Sequence, residues 1–104
     1  MASQTNAINY SKRFLNACKK LPIKIDKAIL FGSSARNNAS AESDIDLALF
    51  SDSFGNNILK NIDLIGKVLI HFPDLDVHTY PTKAQKKKNI MTDAIALTGI
   101  EIKA

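Results

Sequence analysis

Residues 31–50 read FGSSARNNASAESDIDLALF. An apolar run ends at Phe31, a Gly-Ser-Ser turn follows, and a second apolar run opens with two aspartates flanking an isoleucine. Strand interiors disfavour aspartate, so a strand that begins Asp-Ile-Asp calls for positive charge nearby. Side chains alternate across a strand, which puts Asp44 and Asp46 on one face and Ile45, Leu47 and Leu49 on the other. Two carboxylates about 4 Å apart repel by roughly 4 kcal/mol at an effective dielectric of 20. A divalent cation absorbs that charge, and Mg2+ in particular takes one or two carboxylates together with substrate phosphates.

The other end of the stretch suits those phosphates. Gly32 opens backbone conformations closed to other residues, and no side chain bars an anion from the Ser33 and Ser34 amides. A helical turn starting there would add free N–H groups and a dipole.

A third acid lies further on, in DLDVHTY at residues 74–80. Alternation puts Asp74, Asp76 and His78 on one face and Leu75, Val77 and Thr79 on the other. If this strand neighbours the second, Asp76 joins Asp44 and Asp46, while Asp74 reads as a solvated turn residue. Three clustered carboxylates suit a two-metal site, with ions about 3.5–4 Å apart. Asp76 is then the candidate to help an attacking hydroxyl lose its proton. His78 could approach the same site, although a polar strand-end histidine is the commoner role. An isolated Asp-x-Asp is a weak signal, because strand-start aspartates often cap turns. Combined with the Gly-Ser turn and a later acid, it is much more specific.

Around these motifs the chain reads as helix, strand, turn, strand, helix, strand, helix. Residues 4–20 bring Ile8, Phe14, Leu15 and Cys18 to one helical face, and Pro22 stops the helix. Residues 23–31 pass from alternating to continuously apolar, as a strand entering a sheet would. Residues 54–72 carry Ile58, Ile62, Leu64, Ile65, Val68 and Leu69 at helical spacing, with Asn56 or Asn57 as cap and Pro73 as stop. Residues 89–99 read as a last helix ended by Gly99, and the tail IEIKA could add an edge strand. Tyr10 and Tyr80 read as rim residues, and Cys18 as helix core. One α+β domain over residues 1–104 is expected.

The run Gly32-Ser33-Ser34-Ala35-Arg36, followed by Asp44-Ile45-Asp46-Leu47, resembles the signature of the DNA polymerase β-like nucleotidyltransferase superfamily. It is most similar to the minimal nucleotidyltransferase (MNT) group, whose motif is G-S-x-A-R-G, a spacer, then S-D-I-D-L. The resemblance spans most of the chain. It implies a small mixed β-sheet with helices packed on one face. It also implies that Gly32 and Ser33 hold a triphosphate, with Ser34 and Arg36 in the same motif, and that Asp44 and Asp46 bind Mg2+ with Asp76 as third acid. Asn37 departs from the family glycine, although asparagine tolerates left-handed backbone better than most residues. Arg36 either meets a phosphate or pairs with a local acid such as Glu42.

MNT proteins of this size resemble the antitoxin half of HEPN–MNT toxin–antitoxin pairs, whose family activity is adenylylation of the HEPN ribonuclease toxin. The resemblance therefore implies transfer of AMP from ATP to a hydroxyl of a partner protein. A different class of function is a non-catalytic binding module that neutralises its partner by contact. A third is a nucleic-acid end-modifying enzyme, with KAQKKK (residues 83–88) gripping the strand. That run holds four of the fourteen basic residues of a chain with net charge +4. No aromatic residue is interleaved with these lysines to stack bases, which weakens the nucleic-acid reading.

The 104 residues allow one core but hardly a second, acceptor-gripping domain, so a partner is expected to complete the site; homo- and hetero-oligomers both stay open. No apolar run approaches the ~20 residues of a membrane span. The N-terminus lacks the pattern of a secretory signal, and the lone Cys18 permits no internal disulfide, so a reducing cytoplasm is the expected location.

Overall fold

The structure is a computed structural model that describes residues 4–32, 44–86 and 99–104. The phosphate-motif residues Ser33, Ser34 and Arg36, the Asn37 departure and the helix expected over residues 89–98 lie outside the described residues.

Helix α1 runs Gln4–Cys18 and buries Ala7, Tyr10, Ser11, Phe14, Leu15 and Cys18 at three- and four-residue spacing, the stripe that an amphipathic helix lays on a core. It ends two residues earlier than the apolar pattern suggests. The amides of Lys19, Lys20 and Leu21 already bond three residues back, to Asn16, Ala17 and Cys18, and Pro22 has no N–H and disfavours helix at Leu21. Tyr10 corrects a sequence expectation. It is only 8% exposed, packs edge-on against Phe72, and its hydroxyl accepts a hydrogen bond from the Asp74 amide at 3.3 Å. An aromatic ring spaced between Ala7 and Phe14 belongs to the buried stripe, and the phenol reaches a partner at the far side of the core.

Strand β1 (Lys27–Phe31) and strand β2 (Ile45–Phe50) are antiparallel, from Lys27 opposite Phe50 to Phe31 opposite Asp46. β1 is shorter than its apolar run because β2 ends at Phe50, leaving Ile23 and Ile25 to pack on the core from outside the ladder. Helix α2 (Ile58–Leu69) is capped by Asn57, whose side chain accepts from the Lys60 amide at 3.1 Å, and it carries the chain across to strand β3 (Leu75–Tyr80). β3 lies parallel to β2, with Asp46 beside Asp76 and Ala48 beside His78. The tail does form an edge strand, β4 (Ile100–Glu101), antiparallel to β1. The mixed sheet has the order β3-β2-β1-β4.

Alternation then separates two faces. Ala28, Leu30, Ile45, Leu47 and Leu49 meet α1 and the Ile65 side of α2 in the main core. Ile29, Ala48 and Phe50 point the other way, with Phe31, Tyr80 and Ala84 against them. Both α-helices among the described residues thus cover one face, the α+β arrangement expected. The acids stand on the opposite face.

The core contains one unsatisfied group. Ser11 is fully buried and its Oγ has no hydrogen-bond partner among the described residues. A buried hydroxyl without a partner costs roughly 1–3 kcal/mol, and alanine is also the better helix former. Ser11→Ala is therefore expected to raise unfolding free energy by about 1 kcal/mol, read as a higher urea midpoint with unchanged slope. A lower midpoint would mean that the hydroxyl is satisfied in solution.

Candidate active site

Three side chains converge on the helix-free face where the edge strand β3 runs beside β2. Asp46 lies in β2, and Asp76 and His78 lie in β3. Each offers one ligand atom, and these atoms all lie within 4.8 Å of one another. The phase of β3 is set from its other face: buried Asn61 of α2 donates to Thr79 Oγ1 at 3.0 Å and also bonds both the amide and the carbonyl of Gly55. With Thr79 held toward the helices, Asp76 and His78 must face away.

Phe31, the β1 partner of Asp46, packs its ring edge-on to the His78 imidazole at 5.0 Å between centroids. The imidazole Nε2 stands 3.5 Å from Asp46 Oδ1 and 3.5 Å from Asp76 Oδ2. It is buried, yet makes no hydrogen bond among the described residues. Partial burial pushes the Asp46 carboxyl above its ordinary range; His78 pulls it back down, and the neighbouring Asp76 charge pushes it up. A half-buried carboxyl, a second carboxylate and a ring nitrogen without a hydrogen bond form a donor set that fits a divalent cation.

Gly32 sits against this group. Its φ is +75°, and a Cβ there would lie 2.5 Å from Asp46 Oδ2. The turn at the end of β1 thus closes onto the carboxylate that β2 presents, a contact that the expected phosphate role of Gly32 did not include. Asp44 lies one residue before β2 and is exposed; it is not part of the three-residue group among the described residues. Asp74 is exposed, as a turn residue should be. Phe31 was not singled out by any sequence signal, because an aromatic residue ending an apolar strand reads as core.

Other features lie away from this site. Cys18 is buried, and burial pushes its thiol up to about 11, which suits core packing and not nucleophilic work. A cavity of about 540 Å³ opens beside Leu15, Ile23 and Ile102, at the end of β1 remote from Gly32, and none of the acids Asp44, Asp46 and Asp76 lines it. No helix among the described residues is long and apolar enough to cross a membrane.

Comparison with known proteins places this geometry. The solved structures similar to this chain include a protein of Sulfolobus solfataricus described as a candidate nucleotidyltransferase, with TM-score 0.69 and 14% identity over 94% of this chain and 80% of that one. A toxin–antitoxin complex with AMP-PNP matches at TM-score 0.59 and 23% identity, covering 90% of this chain and 70% of that one. A complex of tri-AMPylated Shewanella oneidensis HEPN toxin with MNT antitoxin matches at TM-score 0.53 and 21% identity, covering 94% and 70%. At such identities these likenesses speak for the fold. No curated protein matches the chain significantly. The family model for the nucleotidyltransferase domain matches residues 11–97, a span that holds β1, Gly32, β2, β3 and all three acids, and the chain therefore belongs to the nucleotidyltransferase domain family.

Proposed function

We propose that this nucleotidyltransferase domain moves AMP from ATP to a hydroxyl of a partner protein, and that the partner is a HEPN-type toxin which the modification neutralises. The observation that carries the reading is the pairing of Asp46 with Asp76 on adjacent parallel strands, directly against the Gly32 turn. In this reading Gly32, which opens the phosphate-accepting motif, stands beside a cation-seeking carboxylate. The similarity to a HEPN toxin–MNT antitoxin complex supports the choice of partner.

In this reading the Ser33 and Ser34 amides, with Gly32 and Arg36, hold the triphosphate. Asp44, Asp46 and Asp76 would hold Mg2+, at one or two ions, which would supply positive charge against the phosphates. The acceptor oxygen attacks the α-phosphorus, pyrophosphate leaves, and the hydroxyl proton passes to Asp76, the most accessible of the three grouped side chains at 54% exposure. The reading places the protein in a reducing cytoplasm.

The test is mass measurement of both proteins after incubation with ATP and Mg2+, with and without the product of the neighbouring gene. A gain of one or more AMP masses on the partner is expected, together with loss of its ribonuclease activity. No gain with any of the four nucleoside triphosphates, while the partner is still neutralised, would make the protein an inhibitor by contact. Steep weakening of nucleic-acid binding with salt, accompanied by end modification of the strand, would instead favour the nucleic-acid enzyme.

A further inference from the structure

The catalytic scheme of three aspartates leaves His78 without a task, although it is the side chain placed between two of them. We infer that His78 is itself a cation ligand, so that Asp46, Asp76 and His78 form a mixed oxygen–nitrogen site that favours a transition-metal ion such as Mn2+ over Mg2+. The inference rests on the metal-dependent reading above.

Geometry carries it. The Nε2 atom is equidistant, at 3.5 Å, from one oxygen of each carboxylate. That separation is too long for a good hydrogen bond. For ligand bonds of roughly 2.1 Å, however, donors so spaced subtend about 110° at a shared ion. The ring as a whole is 31% exposed, yet its Nε2 is shut off from solvent, makes no hydrogen bond among the described residues and has both carboxylates within ion-pair range. A free surface histidine would turn that nitrogen to water. Here the Phe31 ring packs against the imidazole, and the strand register puts His78 one residue pair beyond the Asp46–Asp76 pair on the same face. The nitrogen is thus directed inward at the acids.

Ligand chemistry then sets the preference. Mg2+ is a hard ion that takes oxygen and dehydrates reluctantly; imidazole suits the later first-row ions best, and Mn2+, although it too takes carboxylate and water, admits an imidazole more readily than Mg2+ does. An imidazole in the inner set should raise Mn2+ affinity while giving Mg2+ little.

Pulsed electron paramagnetic resonance of Mn2+ added to the full chain tests this directly. Nitrogen-14 modulation from a directly bound imidazole is expected, and His78→Gln is expected to remove it. The same variant should weaken Mn2+ binding roughly tenfold or more, measured by titration of the free-ion signal, while Mg2+ affinity, read by competition, changes less than about threefold. Circular dichroism and the unfolding midpoint show whether the variant keeps its fold; the wild-type spectrum needs no variant at all. Mn2+ binding without nitrogen modulation overturns the histidine ligand and leaves the carboxylate site standing. Failure of the wild type to bind either ion, with or without ATP, overturns both this inference and the metal-dependent reading.

Discussion

Asp46→Asn will abolish nucleotidyl transfer and leave the apo chain more stable than the wild type. Asp46 is the acid where the site's contacts meet: Gly32 packs on it, His78 faces it and Asp76 lies beside it in the ladder. In the proposed reading Asp46 is a cation ligand, and on loss of its charge transfer should fall by about 10²–10³-fold or more, the scale set by removing one group that stabilises the transition-state charge. Stability moves the other way, because partial burial raises the Asp46 pKa in the folded state.

The sign follows from linkage. At low pH the carboxyl is neutral in both folded and unfolded chains and costs nothing. As pH rises from the unfolded value near 4 through the higher folded one, the folded chain must ionise a partly desolvated group, and stability drops. Asparagine never ionises. Urea unfolding in chelator should therefore show wild type and variant converging near pH 3–4 and the variant ahead at pH 7, by no more than about 1 kcal/mol at this exposure. Added divalent ion should stabilise the wild type and not the variant. A variant less stable than the wild type at neutral pH would show that Asp46 holds the fold together instead of straining it.

Gly32→Ala carries the second large effect. Alanine at φ +75° costs on the order of 1–2 kcal/mol, and the new Cβ would stand 2.5 Å from Asp46 Oδ2. The Asp46 backbone is fixed in the ladder opposite Phe31, so the side chain is what gives. The carboxylate must swing away, and a displacement of about 1 Å at a reacting site is enough to cost about 10²-fold in rate. Gly66→Ala is the control. It lies in α2, a Cβ there meets nothing within 4 Å, and it should stabilise by up to about 1 kcal/mol. A double-mutant cycle isolates the clash. In the Asp46→Ala background the Gly32→Ala penalty should shrink to its backbone part alone. Equal penalties in both backgrounds would mean that the turn opens away from Asp46 and that the close approach does not constrain the site.

Much of this architecture was legible in local pattern. The period of two in DIDLALF separates Asp46 from Ile45, Leu47 and Leu49, and burial follows that division, with the three apolar residues fully enclosed and Asp46 half-exposed. The same period in DLDVHTY assigns Asp76 and His78 to one face, and of the two cap candidates Asn56 and Asn57 it is Asn57 that caps α2. Tyr10 was misread because a tyrosine is compatible with either rim or core; its hydroxyl finds the Asp74 amide 64 residues away, a partner that no local window contains. Element lengths were overread for a related reason: apolar periodicity records what packs on the core, whereas strand and helix ends depend on where backbone partners run out.

What the sequence by itself determined is which residues can share a face, because alternation in a strand and the 3.6-residue turn of a helix are properties of the chain alone. It also marked the residues expected to meet a cation or a phosphate: Gly32, Asp44, Asp46 and Asp76. The tertiary structure alone decided that β3 lies parallel to β2 in the register that sets Asp46 against Asp76. It also decided that His78 Nε2 comes to stand between the two acids. Those placements depend on contacts distant in sequence, from Asn61 to Thr79 and from Tyr10 to Asp74. The free energy of such contacts exists only once the core has closed, so no reading of the chain segment by segment could supply them.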